Sequence, residues 1–112
     1  MSGSKMNPEV KEKWVAALRS GEYEQGAGRL RSHDSKFCCL GVLYDIAGDG
    51  WVKDYTDPEP LYRTAEGLSS LLPDVFRETV GITVIEELRL SVLNDDDRKT
   101  FPEIAEWIEE NL

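Results

Sequence analysis

Residues 37–47 read FCCLGVLYDIA, the most apolar run in the chain, and their conformation decides the fold class. Phe37, Leu40, Leu43, Tyr44 and Ala47 recur at helical spacing, and eleven residues is long for a strand. A buried helix over 38–47 is therefore predicted, closing near Gly48. Gly41 inside it costs about 1 kcal/mol against alanine unless another backbone packs closely there. Cys38 and Cys39 sit about 100 degrees apart on such a helix. One can face the core while the other approaches the segment before it.

Upstream, Asn7-Pro8-Glu9 reads as a helix start. Asparagine caps, proline suits the first helical position, and a carboxylate complements the positive dipole end. Val10, Trp14, Ala17 and Leu18 share one face, and Ser20-Gly21 is a stop, so a helix is predicted over 8–20. Downstream, Thr83 with Glu86 and Thr100 with Glu103 each form a capping box. They introduce predicted helices over 84–93 and 102–110. The first has Ile85, Leu88, Val92 and Leu93 as its apolar face. The second has Ile104, Ala105, Ile108 and Leu112. Residues 94–97, NDDD, read as a solvated turn. Residues 64–72 are a short helix candidate with Leu68, Leu71 and Leu72 along one edge, followed by Pro73 and a further turn over 74–80. Trp14, Leu18, Leu40, Leu43, Leu88, Ile104 and Ile108 are the expected core.

Between these helices the chain is irregular. Residues 21–36, GEYEQGAGRLRSHDSK, are turn-rich and predict a small irregular β-hairpin carrying Tyr23, Gln25 and Leu30. Asp57-Pro58 and Glu59-Pro60 exclude a long helix over 49–62. Trp51, Val52 and Tyr55 suggest a short extended stretch, and Trp51, Tyr55 and Tyr62 either wall a pocket or lid a small core. The expected fold class is α+β: one small domain, mostly helical, with a short irregular β-hairpin or small sheet.

The composition fits that size. The chain has 112 residues, 40% hydrophobic and 31% charged, as expected of one globular domain over 6–112. Residues 1–5, MSGSK, read as an expression-tag remnant. No apolar run reaches the roughly 18 residues of a membrane helix, and there is no signal-peptide core. The two cysteines are adjacent and ill-placed to bridge, so a reducing cytoplasm is expected. The net charge of −9 argues against direct nucleic-acid binding. The charge is uneven. Residues 1–53 hold eight basic and seven acidic residues, a net +1, while residues 54–112 hold five and fifteen, a net −10.

The chemistry-bearing residues are few. His33 is the lone imidazole, so neither a Cys/His zinc site nor a Cys–His nucleophile with an orienting third group can be assembled. The aspartates at 95–97 lack the spacing of a calcium loop, and the glycines at 26 and 28 match no phosphate-loop pattern. The expectation is no catalytic residue, no metal and no cofactor: a protein that is not an enzyme. A small anion would bind at the least acidic end. Tyr23, Gln25, Arg29, Arg31 and Trp51 there supply an aromatic face for a base, an amide for its edge and arginines for phosphate. On one strand, Arg29 and Arg31 would point the same way as a two-pronged clamp. The plainer alternative is that both arginines neutralise Glu22, Glu24 and the acidic half of a neighbouring copy.

Five pieces recur in order: Trp14-x-x-Ala17-Leu18, Ser20-Gly21-x-Tyr23-x-Gln25, FCCLGVLYD at 37–45, Leu93-Asn94-Asp95, and Phe101-x-x-Ile104-Ala105. Together they resemble a family of small phage-encoded proteins of about this length. The likeness spans most of the chain and is weakest over 50–80. Most such proteins carry no assigned activity. The resemblance implies an anti-defence sponge. It would sequester a cyclic nucleotide signal in the cytoplasm of the infected bacterium without cleaving it, with a homodimer as the binding unit. The alternative is an acidic interaction protein that blocks a host factor, with its −10 half imitating nucleic acid.

Overall fold

The computed structural model describes residues 6–55 and 61–112. Residues 1–5, read above as a tag remnant, and both X-Pro pairs at 57–60 lie outside the described residues. The elements in chain order are α1 (Pro8–Ser20), β1 (Glu24–Gln25), β2 (Lys36–Phe37), α2 (Cys39–Ala47), β3 (Trp51–Asp54), β4 (Leu61–Thr64), α3 (Asp74–Val80), α4 (Val84–Ser91) and α5 (Phe101–Asn111). A π-helical turn, Val92–Asp96, continues α4. The domain is α+β, with helices around two small two-stranded sheets.

Helix α1 begins and ends where its capping residues place it. The Asn7 carboxamide oxygen accepts from the backbone N–H groups of Glu9 (2.9 Å) and Val10 (3.3 Å), and the helix stops before Gly21. It packs on α2 and α5, with Trp14 and Leu18 buried. Both predicted capping boxes form, at Thr83/Glu86 and Thr100/Glu103. Helix α2 is buried on nearly every side from Cys39 to Tyr44. Gly41 lies where the chain passes Leu30: a Cβ there would stand 1.7 Å from the Leu30 carbonyl oxygen. Close backbone approach is thus the reason glycine sits mid-helix.

Three expectations need correction. The segment 21–36 forms no hairpin: β1 and β2 pair in parallel, Glu24 with Lys36 and Gln25 with Phe37. The chain between them loops out and returns, and Arg31 meets Phe37 in a single antiparallel bridge. Residues 64–72 are not a helix. Thr64 ends β4, and Gly67 at φ +91° closes a tight turn whose N–H donates to the Thr64 carbonyl (2.8 Å). The Leu68 N–H donates to Thr64 Oγ1 (3.1 Å), so the local hydrogen bonds are spent on the turn.

The third correction concerns α4. Leu88 is 55% exposed and Ile85 77%, although both belong to the apolar face expected to be buried. The inward positions are Glu87, Leu90 and Asn94. Of the expected face only Leu93 is buried; both stripes have helical spacing, and hydrophobicity alone favours the one that faces out. Polar partners decide the rotation. Glu87 accepts from the Leu72 N–H (2.7 Å) and from Arg77 Nη1 (3.0 Å), and Asn94 is hydrogen-bonded on both ends of its amide. Asn94 is therefore not part of a solvated turn; it is 3% exposed.

Candidate functional site

Sheet β3–β4 is antiparallel, with Trp51 opposite Thr64 and Lys53 opposite Tyr62. Strand alternation puts Trp51, Lys53 and Tyr62 on one face. The returning segment 30–37 lays Arg31 and Phe37 beside that face. The Arg31 guanidinium carbon stands 3.8 Å from the Tyr62 ring centroid, 5.3 Å from that of Phe37 and 5.8 Å from that of Trp51. Lys53 Nζ lies 5.4 Å from Tyr62 and 5.5 Å from Tyr55. Two cations thus share the Tyr62 ring.

The aromatic bed is pinned from below. Asp45, on α2, accepts from the Tyr23 hydroxyl (2.5 Å) and from the Trp51 indole N–H (2.9 Å). Tyr23 meets Phe37 edge to face at 5.0 Å, and Tyr44 meets Trp51 at 4.8 Å. Burial, followed by the hydrogen bond to Asp45, pushes the Tyr23 hydroxyl up to about 12.

Arg31 itself has spare capacity. Its Nε (3.3 Å) and Nη2 (3.0 Å) donate to Ser35 Oγ. Ser35 holds a left-handed backbone, φ +59°, which is uncommon for a side-chain-bearing residue. Among the described residues, Nη1 meets no acceptor and the guanidinium no carboxylate. Within the chain Arg31 makes no ion pair with Glu22 or Glu24; Glu24 lies 4.0 Å from Lys36 instead.

The five sequence-predicted residues divide. Tyr23, Arg31 and Trp51 converge on the aromatic bed. Gln25 turns elsewhere: its Nε2 donates to Asn94 Oδ1 (3.0 Å) and to the Lys99 carbonyl (2.7 Å). Arg29 is exposed on the irregular segment and makes no ion pair among the described residues. The single strand that would align it with Arg31 does not form. Sequence reasoning missed Lys53 and the stacking role of Tyr62. The signal was available, because a strand through Trp51 and Tyr55 puts Lys53 between them on the same face.

The remaining motif residues form a knot at the centre of the molecule. Asn94 Oδ1 accepts from Gln25 and from the Cys39 N–H (3.2 Å), while Asn94 Nδ2 donates to the Gly26 carbonyl (2.9 Å). The Trp14 indole donates to the Cys39 carbonyl (2.9 Å). The Cys39 thiol donates to the Leu90 carbonyl (3.6 Å). Both thiols are buried, and burial pushes Cys38 up to about 12 and Cys39 well above its ordinary value. Protonated, buried thiols are poor nucleophiles.

The fold and site define a small α+β domain that presents a cationic aromatic face on a minor sheet. The chain belongs to the family described as "Domain of unknown function (DUF8296)", whose model matches residues 6–112. No curated protein and no solved structure matches the chain. Among the described residues, no helix is long and apolar enough to cross a membrane.

Proposed function

We propose that the chain is a phage-type anti-defence binding protein that sequesters a nucleotide-derived signal, such as a cyclic dinucleotide, on the Arg31 face without cleaving it. The observation that carries the reading is Arg31. It is half-buried, stacked on Tyr62, steadied by Ser35, and free of any carboxylate partner among the described residues. Arginine on an aromatic plane, with Lys53 beside it, suits a phosphate next to a stacked base. The groove along α5, about 250 Å³, is a poorer site for such a ligand, because Glu103, Glu106 and Glu110 line it.

The test is thermal unfolding against a panel of cyclic di- and oligonucleotides. A ligand at about a hundred times its Kd adds about 2.7 kcal/mol to stability. Arg31→Glu with Lys53→Glu should remove that gain while the unliganded melting temperature changes little. Ligand recovered after denaturation should be intact by mass spectrometry. If no member of a broad panel raises the melting temperature, the reading fails. Recovery of cleaved ligand would replace sequestration with catalysis.

A further inference from the structure

A second surface stands out on the opposite kind of chemistry. Leu68, Leu71, Val84 and Leu88 form the apolar part of a groove of about 330 Å³ between the loop after β4 and helix α4, which Asp74, Arg77 and Glu87 also line. Ile85, 77% exposed, stands three residues before Leu88 on α4 and so shares its helix face. This exposure is not slack packing. Glu87, 3% exposed, joins the Leu72 N–H and Arg77, and Arg77 also reaches the Leu72 carbonyl (3.3 Å) and the Asp74 carboxylate. That network ties the loop, α3 and α4 together and fixes the helix rotation that turns Ile85 and Leu88 outward. The groove is preformed.

Charge selects its occupant. Residues 65–91 carry five carboxylates and two arginines: Arg77 with Asp74 and Glu87 makes a group of net −1, and Glu66, Glu78 and Glu86 outnumber Arg89. The whole half from residue 54 onward carries −10. Two copies at −9 each repel, whereas a basic partner is drawn in. A short groove of leucine and valine between a loop and a helix suits the apolar stripe of an amphipathic helix. We infer that this groove docks a cationic amphipathic helix of another protein: leucine-type side chains enter the groove, and lysines or arginines face the surrounding carboxylates. This inference stands apart from the Arg31 face and does not rest on ligand binding there.

The probe is a labelled peptide of about 15 residues with leucine at i, i+3, i+4 and i+7 and lysine elsewhere. Its control carries glutamate in place of lysine. Fluorescence anisotropy against the full chain should show saturable binding of the lysine peptide alone, weakened by added salt. Leu88→Glu should lower the affinity at least about tenfold. Ile85→Ser, a milder change at a more exposed position, should lower it in the same direction with an unchanged circular dichroism spectrum. It carries the test if Leu88→Glu misfolds. Absence of saturable binding overturns the inference. So does undiminished binding by the variants, which would mean diffuse charge attraction. Sedimentation of a wild-type dimer that Leu88→Glu dissociates would make a second copy the occupant and overturn it equally.

Discussion

The Asn94 knot and the Arg31 face use similar residue types to opposite ends. In the knot, the polar groups are spent on other parts of the same chain: both ends of the Asn94 amide, the Gln25 amide nitrogen, the Trp14 indole and the Cys39 backbone. Gln25, Asn94, Trp14 and the backbone of Cys39 hold β1, α2, α1 and the turn after α4 to one another. At the face, Arg31 and Lys53 lie over aromatic rings, and Arg31 keeps donors unspent among the described residues. The knot is built from the residues that make the sequence distinctive: the glutamine of SG-x-Y-x-Q, the second cysteine of FCCLGVLYD, the asparagine of LND. Half of the face comes from 51–62, where the sequence is least distinctive. Motif residues here report how the chain folds; spare charge reports where it can bind.

That contrast breaks most visibly at Gly41. A Cβ there would overlap the Leu30 carbonyl oxygen at 1.7 Å, a backbone atom that cannot rotate away. Gly41→Ala should cost about 3 kcal/mol or more, read by chemical denaturation, and should expose thiols that are shielded in the wild type. A wild-type unfolding midpoint would mean that α2 and the segment at Leu30 are not in contact.

Asn94→Ala comes next. It strands the Gly26 carbonyl and the Cys39 N–H and removes one of the two partners of the Gln25 amide nitrogen. A buried group left unpaired costs about 1–3 kcal/mol, so a loss of about 3 kcal/mol is expected here. Asp96→Ala, two residues on and exposed, should stay within about 0.5 kcal/mol. Equal effects of the two changes would dissolve the distinction between a buried hub and a solvated turn.

How much of this was legible depends on whether a residue's role is local. Helix α1 and both capping boxes were readable because their hydrogen bonds close within three residues. The helical reading of 37–47 and the need for close packing at Gly41 followed from length and glycine chemistry. The rotation of α4 was not readable. The stripe Ile85, Leu88, Val92 and the stripe Glu87, Leu90, Asn94 have identical spacing, and only partners distant in sequence, at Leu72, Arg77 and Gly26, select the second. The parallel pairing of β1 with β2 was hidden for the same reason: two-residue strands have no pattern. Of the aromatic face, Tyr23, Arg31 and Trp51 were singled out by residue type. Gln25 was misread because an amide that reads a base edge and one that ties a turn look alike in sequence.

The hydroxyl of Tyr23 sharpens the comparison, because it lies between the two regions and its partner Asp45 steadies Trp51 as well. Its pKa in the fold is about 12 against an ordinary value near 10, raised by burial and then by Asp45. The folded value exceeds the unfolded one. Its contribution is therefore fully present below about pH 10 and is lost as pH rises through about 12. Tyr23→Phe should cost on the order of 1 kcal/mol at pH 8, a modest figure because the side chain is partly exposed. The gap from wild type should narrow steadily between pH 10 and 12, measured by denaturation midpoints. Cys38, also raised to about 12, weakens both proteins in the same alkaline window and so cancels in the difference. A gap that stays constant across this range would show that the hydroxyl donates nothing to Asp45.

The smallest expected effect on stability is the most informative about the face. Arg31→Ala removes stacking on Tyr62 and two hydrogen bonds to Ser35, but strands no buried carboxylate among the described residues. A cation–π contact is worth about 0.5–1 kcal/mol when exposed and about 2 when desolvated, so for this half-buried arginine stability should fall by about 1 kcal/mol, well short of the loss at Asn94. The same variant should lose the nucleotide-induced rise in melting temperature, since the guanidinium is the group offered to phosphate. Knot residues are expected to behave the other way, with stability falling first. If Arg31→Ala destabilises as strongly as Asn94→Ala, the guanidinium is a structural strut, and its spare donors are no sign of a ligand.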